Sequence, residues 1–355
     1  MRIKIDALDT LFFKDGKPFN MGDETWADGM FPPPQSVIAG ALRTAYFGYH
    51  PEDLPKANGP DDPTTGLKIR ATALMTGETV YYHAPLDMVV DKSQTEKKKA
   101  RLEPLELTEP SGLTSSPLKK VLSFSRDGKI DTAQGLLIDA GSLSSWLNGR
   151  KGKMPFLRLS ELVTTEAKTG IGRENSTRSV AEGKLYRVGM KRPVSAEGFV
   201  ESKLSIVVDF TGFDLPSAGF LKLGGEGKVA SWKEFDQDLI PPRPELPSGD
   251  GELIIKLYLL TPGVFPEGAL PTLPAGTGAE VIAASTGKAL YFGGYDMKAG
   301  EPKPMKLAVP PGSVYYIKCS RQAASTIVGL HGTSLSGSDH ASQGYGIVLT
   351  GVTNA

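Results

Sequence analysis

The sequence predicts an α+β protein with two tandem domains, and three observations support this. The chain has 355 residues, a length that suggests two domains of ordinary size. The proline-rich segment LIPPRPELPSGDG at 239–251 is typical of a linker. Stretches typical of strands and helices follow one order on both sides of it: strand, connection, two strands, helix, strand. This order suggests two ferredoxin-like (RRM-like) units, and we expect domains at 1–243 and 244–355, with insertions and a long β-hairpin in the first.

Composition limits the classes of function. The chain has 40 Lys plus Arg and 40 Asp plus Glu, so a site for a polyanion has to be a local patch. Cys319 is the single cysteine, which leaves no partner for a disulfide within this sequence and fits a reducing cytoplasm. The N-terminal residues MRIKIDAL alternate as a strand does and do not resemble a signal peptide. We therefore expect a cytoplasmic protein.

In the first half, the elements are predicted from hydrophobic periodicity and turn residues. Alternation predicts a strand at 2–8 that ends in a turn at 14–16, and FPPPQSVIAGALRTAYF predicts a helix after its three prolines. Two strands are predicted at 67–74 and 78–83, about the turn Thr76-Gly77. We treat residues 86–160 as an insertion whose role stays open. It contains the cationic run KSQTEKKKAR, which is typical of a solvated segment, and a predicted helix at 136–147.

Further along, β-branched residues predict a strand at 199–210, followed at 215–232 by a short helix, a glycine loop and a strand. After the linker, a nearly continuous apolar run predicts a strand at 251–265. The remaining predicted elements are a hairpin at 280–296 about Thr286-Gly287, a strand that ends the segment 303–319, a helix at 321–330 and a closing strand at 343–352.

A cationic segment at 168–193, KTGIGRENSTRSVAEGKLYRVGMKRP, is the candidate around which the first domain is organised. It holds seven Lys or Arg residues against two Glu, a local excess of five positive charges. Two arms, at 162–172 and 184–193, flank a polar loop, so we predict a long β-hairpin at 161–193 that stands out from the body. The alternative is a solvated loop whose lysines only keep the protein soluble.

Five motifs occur in a fixed order: FPPPQSVIAGALRTAYF, GIGRENSTRSVAEGKLYRV, KLGGEGK, KLAVPPGSVYYIK and QGYGIVLTG. In this combination the sequence resembles the Cas RAMP superfamily. More closely, it resembles the subunit family that holds the 5′ tag of the guide RNA (crRNA) in type III-B CRISPR Cmr effector complexes. The resemblance implies a glycine-rich loop after a helix, a hairpin that engages RNA, and a non-catalytic role. The implied protein partners are the large polymerase-like subunit and the repeating backbone subunit.

The candidate RNA-binding residues follow from the chemistry of single-stranded RNA recognition, in which cations neutralise phosphates, backbone amides bind them and aromatic rings stack on bases. The cations are Lys168, Arg173, Arg178, Lys184, Arg187, Lys191, Arg192 and Lys228. The glycines are Gly224, Gly225, Gly344 and Gly346, for which a requirement of turn geometry is an equal alternative. Tyr186 and Met190 are candidates either for stacking on bases or for packing beneath the hairpin. The resemblance adds Arg43, in the GALRTA helix, as a phosphate contact.

Two other functions stay open on the sequence alone. Other members of the superfamily cleave guide-RNA precursors without metal, and His331 and His340 are the candidates for such proton transfer here. A scaffold that does not touch RNA would fit the zero net charge. The motif LGGEGK lacks the ending of a P-loop, and the carboxylates near Asp209, Asp214 and Glu226 form no recognisable metal cluster. We expect no ATP site, no metal, no cofactor and no enzymatic activity.

Overall fold

The computed structural model describes residues 1–14, 26–92, 100–126, 128–150, 152–173, 176, 179–194, 203–248, 251–296 and 300–353. The chain forms two compact units, each assembled from three segments. Unit 1 comprises Met1–Ile69, Ser160–Asp236 and Tyr291–Leu307; unit 2 comprises Arg70–Leu159, Gln237–Leu290 and Ala308–Ala355. The units therefore do not coincide with consecutive segments at 1–243 and 244–355, and the division into those two domains stays a prediction.

The described residues form many short strands and few helices. In chain order they are β1 (Arg2–Ala7), β2 (Trp26–Ala27), α1 (Gln35–Tyr49), a 3-10 helix (Pro51–Lys56), β3 (Lys68–Thr76), β4 (Thr79–His83), β5 (Met88–Asp91), β6 (Leu102–Pro104), β7 (Glu106–Thr108), β8 (Val121–Ser123), β9 (Ile130–Thr132), β10 (Leu136–Asp139), α2 (Ala140–Leu147), β11 (Leu157–Arg158), α3 (Leu159–Leu162), β12 (Val163–Arg173), β13 (Val180–Pro193), β14 (Ser205–Thr211), β15 (Ala218–Lys222), β16 (Val229–Glu234), β17 (Glu252–Leu259), β18 (Glu280–Ser285), β19 (Leu290–Phe292), β20 (Tyr295–Asp296), β21 (Glu301–Pro302), β22 (Lys306–Ala308), β23 (Val314–Ser320), α4 (Arg321–Val328), α5 (Ser338–Ala341) and β24 (Val348–Val352).

In unit 1, antiparallel strands are hydrogen bonded in the order β14-β1-β16-β15. Ile5 lies opposite Trp232, and both are buried on one face of these strands. Helix α1 buries Ile38 and Leu42, and the Tyr49 ring at its end lies 5.5 Å from the ring of Trp232. The predicted first strand and the predicted helix after the prolines are confirmed.

The predicted hairpin is formed by β12 and β13, which pair antiparallel with Lys168 opposite Val188. Where β13 pairs with the short parallel strand β2, the side chains of Val188 and Met190 pack with Phe12 and Ala27 in a small buried cluster. We call this cluster, with Lys168 opposite it, the hairpin base. Burial of apolar area stabilises the hairpin base. The segment is therefore a hairpin whose base is packed against the protein.

In unit 2, four antiparallel strands take the order β18-β23-β17-β24. The core between this sheet and α4 contains Leu257, Tyr315, Ile317 and Ile327, each buried. A second group of strands is paired in the order β11-β10-β4-β3, and its β3–β4 hairpin turns at Gly77 with φ +61°. The predicted strands at 67–74 and 78–83 and the predicted helix at 321–330 are confirmed with small differences at their ends. The strands predicted at 251–265 and 343–352 are present but shorter, at Glu252–Leu259 and Val348–Val352.

One predicted helix is wrong in its first part. Residues Leu136–Asp139 are the strand β10, and only Ala140–Leu147 are helical. Ile138 pairs with Tyr82 of β4 and is fully buried, so pairing in the sheet overrides the helical spacing of the apolar residues. The helix begins where the Asp139 carboxylate accepts the Ser142 N–H at 2.9 Å, which is an N-cap.

The helix predicted at the start of 215–232 is also wrong, because Ala218–Lys222 form the edge strand β15. Gly219 lies against Trp232 and the Tyr49 hydroxyl, where a Cβ has no room.

The hairpin predicted at 280–296 is not formed, since β18 pairs with β23 while β19 pairs with β22. The long buried strand β23 offers β18 a better partner than its sequence neighbour does.

The insertion predicted at 86–160 contributes the paired strands β6-β5-β9 and β7-β8 to unit 2. Its lysines at 97–99, and part of the turn predicted at 14–16, lie outside the described residues. Among the helices that the structure describes, none has the length and apolar character needed to cross a membrane.

Candidate RNA interface

An ion-pair cluster surrounds the hairpin base in unit 1. Arg192 of β13 donates to Asp9 Oδ1 at 3.1 Å and to Glu166 Oε2 at 3.0 Å. Lys228 Nζ donates to the other Asp9 oxygen at 2.8 Å. Lys168 Nζ, on β12, lies 2.9 Å from Oε2 of Glu226, on the glycine loop. Three of the candidate cations are therefore held by carboxylates from three places: Asp9 after β1, Glu166 on β12 and Glu226 on the glycine loop. We call these three cations and three carboxylates the charged cluster.

Hydrogen bonds favour the ionised forms of three members of the charged cluster, Asp9, Lys168 and Arg192. The hydrogen bond from Lys228 lowers the pKa of Asp9 to about 2, and the backbone of Thr10 helps. The hydrogen bond to Glu226 raises the pKa of Lys168. Glu166 does the same for the pKa of Arg192. Sequence reasoning missed these carboxylates as members of the site: Asp9 and Glu226 lie far from the hairpin along the chain, whereas Glu166 could have been found from the hairpin register.

The other hairpin cations differ in their surroundings. Lys191 Nζ donates to Thr165 Oγ1 at 2.8 Å, across the two strands. Arg187 is exposed, and within the described part of the chain no carboxylate pairs with it. The side chains of Arg173, Arg178 and Lys184 lie outside the described residues. The structure thus brings Lys168, Arg192 and Lys228 into one cluster, and leaves Arg187 exposed on the other face of the hairpin.

The two stacking candidates, Tyr186 and Met190, both pack against the protein. Met190 is 2% exposed and belongs to the apolar cluster of the hairpin base. Tyr186 is partly buried against the same cluster. Met190 therefore has no face left for a base, whereas stacking of a base on the partly buried Tyr186 stays a prediction.

The glycine loop after β15 is shaped by contact with Phe12. Gly224 has φ +79°, and a Cβ there would collide with the Phe12 carbonyl oxygen. The Gly225 N–H donates to the same oxygen at 2.9 Å. Turn geometry and the close approach of Phe12 therefore explain Gly224, and contact of Gly224 and Gly225 with RNA stays a prediction. The loop also positions Lys228 and Glu226 for the charged cluster.

The closing glycines lie in unit 2 and have similar explanations. Gly344 and Gly346 have φ +86° and +71°. Their N–H groups donate to the Ala341 carbonyl at 3.0 Å and to the Pro262 carbonyl at 2.8 Å. These amides are used within the protein, so contact of the two glycines with RNA stays a prediction.

Arg43 connects α1 to the loop that follows it. Its guanidinium donates to Thr64 Oγ1 at 2.8 Å, Asn58 Oδ1 at 3.1 Å and Asp62 Oδ2 at 2.7 Å. Asp62 is buried, which opposes its ionisation, but hydrogen bonds from Thr64 and Asn58 and the charge of Arg43 outweigh this and lower its pKa to about 2. Arg43 thus holds the loop in place, and its predicted phosphate contact stays a prediction.

His331 has both ring nitrogens engaged. Nδ1 accepts the Thr350 N–H at 3.1 Å, so Nε2 carries the proton that is donated to the Pro241 carbonyl at 2.8 Å. Burial lowers the pKa of this histidine, which fits a neutral ring with a structural role. His340 lies edge-on to Tyr345. Within the described ranges, no group of three or more His, Cys, Asp or Glu residues is arranged to hold a metal ion.

The fold and the cationic hairpin define the class of protein: a mixed α/β chain, mostly sheet, with a cationic hairpin in one unit. Residues 3–353 match the family model described as CRISPR-associated protein (Cas_Cmr3), and the chain belongs to this family. The resemblance to the Cas RAMP superfamily is confirmed.

Two solved structures have a similar fold. One is a chain of a structure described as a type III-B Cmr-beta complex bound to cognate target RNA and AMPPnP, state 1; another is a chain of the same complex bound to cognate target RNA. Each has a TM-score of 0.51 and 17% sequence identity, and each match covers 93% of this chain and 89% of the other. No curated protein is significantly similar to the chain in sequence.

Proposed function

We propose that this chain is the non-catalytic RNA-binding subunit of a type III-B CRISPR Cmr effector complex, where its hairpin holds the 5′ tag of the guide RNA. In that complex it docks the large polymerase-like subunit and contacts the repeating backbone subunit. The observation that carries the proposal is the cationic hairpin with a buried base: β12 and β13 extend from this base, Lys168 and Arg192 lie on one face of the hairpin in the charged cluster, and Arg187 is exposed on the other face. The family supports it, as do the similar structures, which are described as Cmr-beta complexes bound to cognate target RNA.

The same proposal includes two ferredoxin-like domains. In unit 2 the strands β17, β18, β23 and β24 are the first to fourth of the sheet and lie in the spatial order 2-3-1-4 with antiparallel neighbours, and α4 connects the third to the fourth. No helix connects β17 to β18 among the described residues. In unit 1, β14-β1-β16 supplies part of the same order, with α1 after β1.

A shortened hairpin tests the RNA contact. Residues 171–185 are replaced by a Gly-Ser turn, which removes Arg173, Arg178 and Lys184 and keeps the buried base with Met190. The core should stay folded, because the variant keeps Val188 and Met190, the hairpin residues of the buried base. If each of the three cations neutralises a phosphate, the salt slope of RNA binding should fall by about 2, at roughly 0.7 per phosphate.

The measurement is nuclease protection and crosslinking along the guide RNA in assembled complexes, at several salt concentrations. Protection should fall at the 5′ tag and be retained in the guide portion. The matched control replaces three exposed or partly exposed lysines of unit 2, Lys119, Lys120 and Lys318, by Gln, which removes the same number of positive charges elsewhere. Unchanged tag protection together with an unchanged salt slope would show that the hairpin is only a solubilising loop.

Docking is tested separately by mixing the purified chain with the polymerase-like subunit and measuring complex formation by gel filtration. A stable complex is expected. A homo-oligomer of this chain that does not associate with that subunit would contradict the proposed assembly.

A further inference from the structure

The second face of the unit 1 sheet is open to solvent over β15, β16 and β1. Side chains alternate along β15, β16 and β1, so cross-strand partners share a face. The buried face carries Ile5, Trp232 and Leu221. The opposite face carries nine residues in three rows, all exposed or partly exposed; we call it the open face. Its members are Ala218, Phe220 and Lys222 of β15, Val229, Ser231 and Lys233 of β16, and Lys4, Asp6 and Leu8 of the first strand and its end.

Apolar side chains are unusually exposed on the open face. Phe220 is 63% exposed, Leu8 is 55% exposed and Val229 is 40% exposed. The register places Phe220 opposite Ser231 and Val229 opposite Lys222, so the ring lies diagonally across from Val229. A large aromatic ring with most of its surface in water is a costly feature for a sheet that needs no partner.

Lysines flank this ring. Lys222 follows Phe220 by two residues on the same face, and Lys233 lies opposite Ala218. Both are exposed, and neither has a carboxylate partner within the part of the chain that the structure describes. The third lysine of the face, Lys4, lies 3.8 Å from Asp6. The open face thus has two unpaired positive charges around an exposed aromatic ring.

We propose that the open face is a stacking platform for single-stranded RNA, in which a base stacks on Phe220 and the adjacent phosphates pair with Lys222 and Lys233. An exposed ring among lysines is the combination that binds single strands without reading their sequence. A protein partner fits less well, because lysine is depleted at the centre of protein interfaces.

Continuity with the charged cluster supports an RNA occupant. Val229 directly follows Lys228, and Leu8 directly precedes Asp9, and these two charged residues form the 2.8 Å ion pair of the cluster. The platform therefore begins where the charged cluster ends. It rests on the proposed function in one respect: it extends the path of the same RNA beyond the hairpin base.

The test compares Phe220→Leu, Phe220→Ala and Phe220→Trp in the full chain, using fluorescein-labelled decaadenylate and decauridylate as probes. Because a stacked base contributes an effect of about 5- to 150-fold in affinity, Leu and Ala should weaken binding by such a factor, and Trp should retain it. Leu keeps the apolar character without the π face, so it separates stacking from simple burial. The matched control is Tyr291→Leu, an exposed aromatic on β19 outside the open face, which should leave affinity unchanged.

Two further measurements make the test independent of the hairpin. Lys222→Gln with Lys233→Gln should lower the salt slope by about 1.4, whereas Phe220→Leu should leave the slope unchanged. In assembled complexes, 5-iodouridine placed in the guide RNA should crosslink to Phe220. Affinity of Phe220→Leu within twofold of wild type, or the absence of that crosslink, would overturn the platform.

The variants also distinguish this inference from the proposed function. If shortening the hairpin at 171–185 weakens tag protection while Phe220→Leu changes nothing, the platform fails and the proposed function stands. If Phe220→Leu weakens RNA binding while the shortened hairpin does not, the platform stands and the hairpin has no such role. Loss of subunit association by Phe220→Leu with RNA binding intact would replace the platform by a protein interface.

Discussion

Replacing Asp9 by Asn should strengthen RNA binding, because Asp9 competes with phosphates for two cations. Its oxygens lie 2.8 Å from Lys228 Nζ and 3.1 Å from Arg192 Nη2. Arg192 keeps Glu166 as a partner after the change, so Lys228 is the cation that is released. One additional phosphate neutralised should raise the salt slope by about 0.7, which corresponds to roughly fourfold tighter binding at about 0.15 M salt.

The assay measures the affinity of the full chain, and of the assembled complex, for a single-stranded guide RNA between low and moderate salt. Glu280→Gln is the matched control, since this exposed carboxylate pairs with Lys119 at 2.6 Å in unit 2 and its loss changes the net charge equally. Its effect should be much smaller than that of Asp9→Asn. Weaker RNA binding by Asp9→Asn would mean that the ion pair orients Lys228 for RNA, and would refute the competition argument.

The pH dependence follows from the sign of the shift at Asp9. A carboxylate with a lowered pKa contributes its ion pair above the pKa of the unfolded chain, and loses it only as the pH falls through about 2. Between pH 5 and 8, the competition between Asp9 and RNA should therefore not change. A rise in affinity near pH 5 in wild type that is absent from Asp9→Asn would contradict this.

Three further predictions concern groups outside the hairpin. Replacing His331 and His340 together by Ala should leave RNA association intact, and metal-free cleavage of tagged RNA by the wild type that disappears in this variant would favour a nuclease instead. Lys256→Met should lower the free energy of unfolding by about 3–5 kcal/mol in urea titrations, because it leaves the buried Asp87 without its cation. The side chains of Lys256 and Asp87 are 12% and 2% exposed, and their charged atoms lie 3.6 Å apart. The double variant with Asp87→Asn should recover much of the lost stability, and a cost of Lys256→Met below about 1 kcal/mol would show that the pair is not coupled. Desolvation lowers the pKa of His83 to about 4, so stability should fall as the pH drops from about 6.5 toward 4, and equal acid sensitivity of His83→Gln would contradict this assignment.

Much of the local structure could be predicted from residue patterns. Alternation of apolar residues predicted β1, and three prolines followed by residues at helical spacing predicted α1. The two arms of the hairpin followed from β-forming residues on either side of a polar loop. These features depend on interactions between residues close in the chain, so periodicity and turn chemistry were enough to predict them.

Partnership between distant segments could not be predicted in the same way. The apolar run at 136–139 fits a helix or a strand, and pairing with β4 decided for the strand. Similarly, β18 pairs with β23 and not with the strand beside it in sequence. In both cases the free energy comes from burial against residues far along the chain, which a local pattern does not contain.

The sequence by itself determined that this chain carries a cationic hairpin in a protein of zero net charge, and its motifs indicated the family. Only the tertiary structure decided how the charges of that hairpin are used. Asp9 contacts Arg192 because β1 lies centrally in the sheet of unit 1 and ends beside the hairpin base. Likewise, Phe220 is exposed beside lysines because its segment is an edge strand and not a helix. Charge and aromaticity are properties of single residues, whereas their neighbours in space are set by strand register.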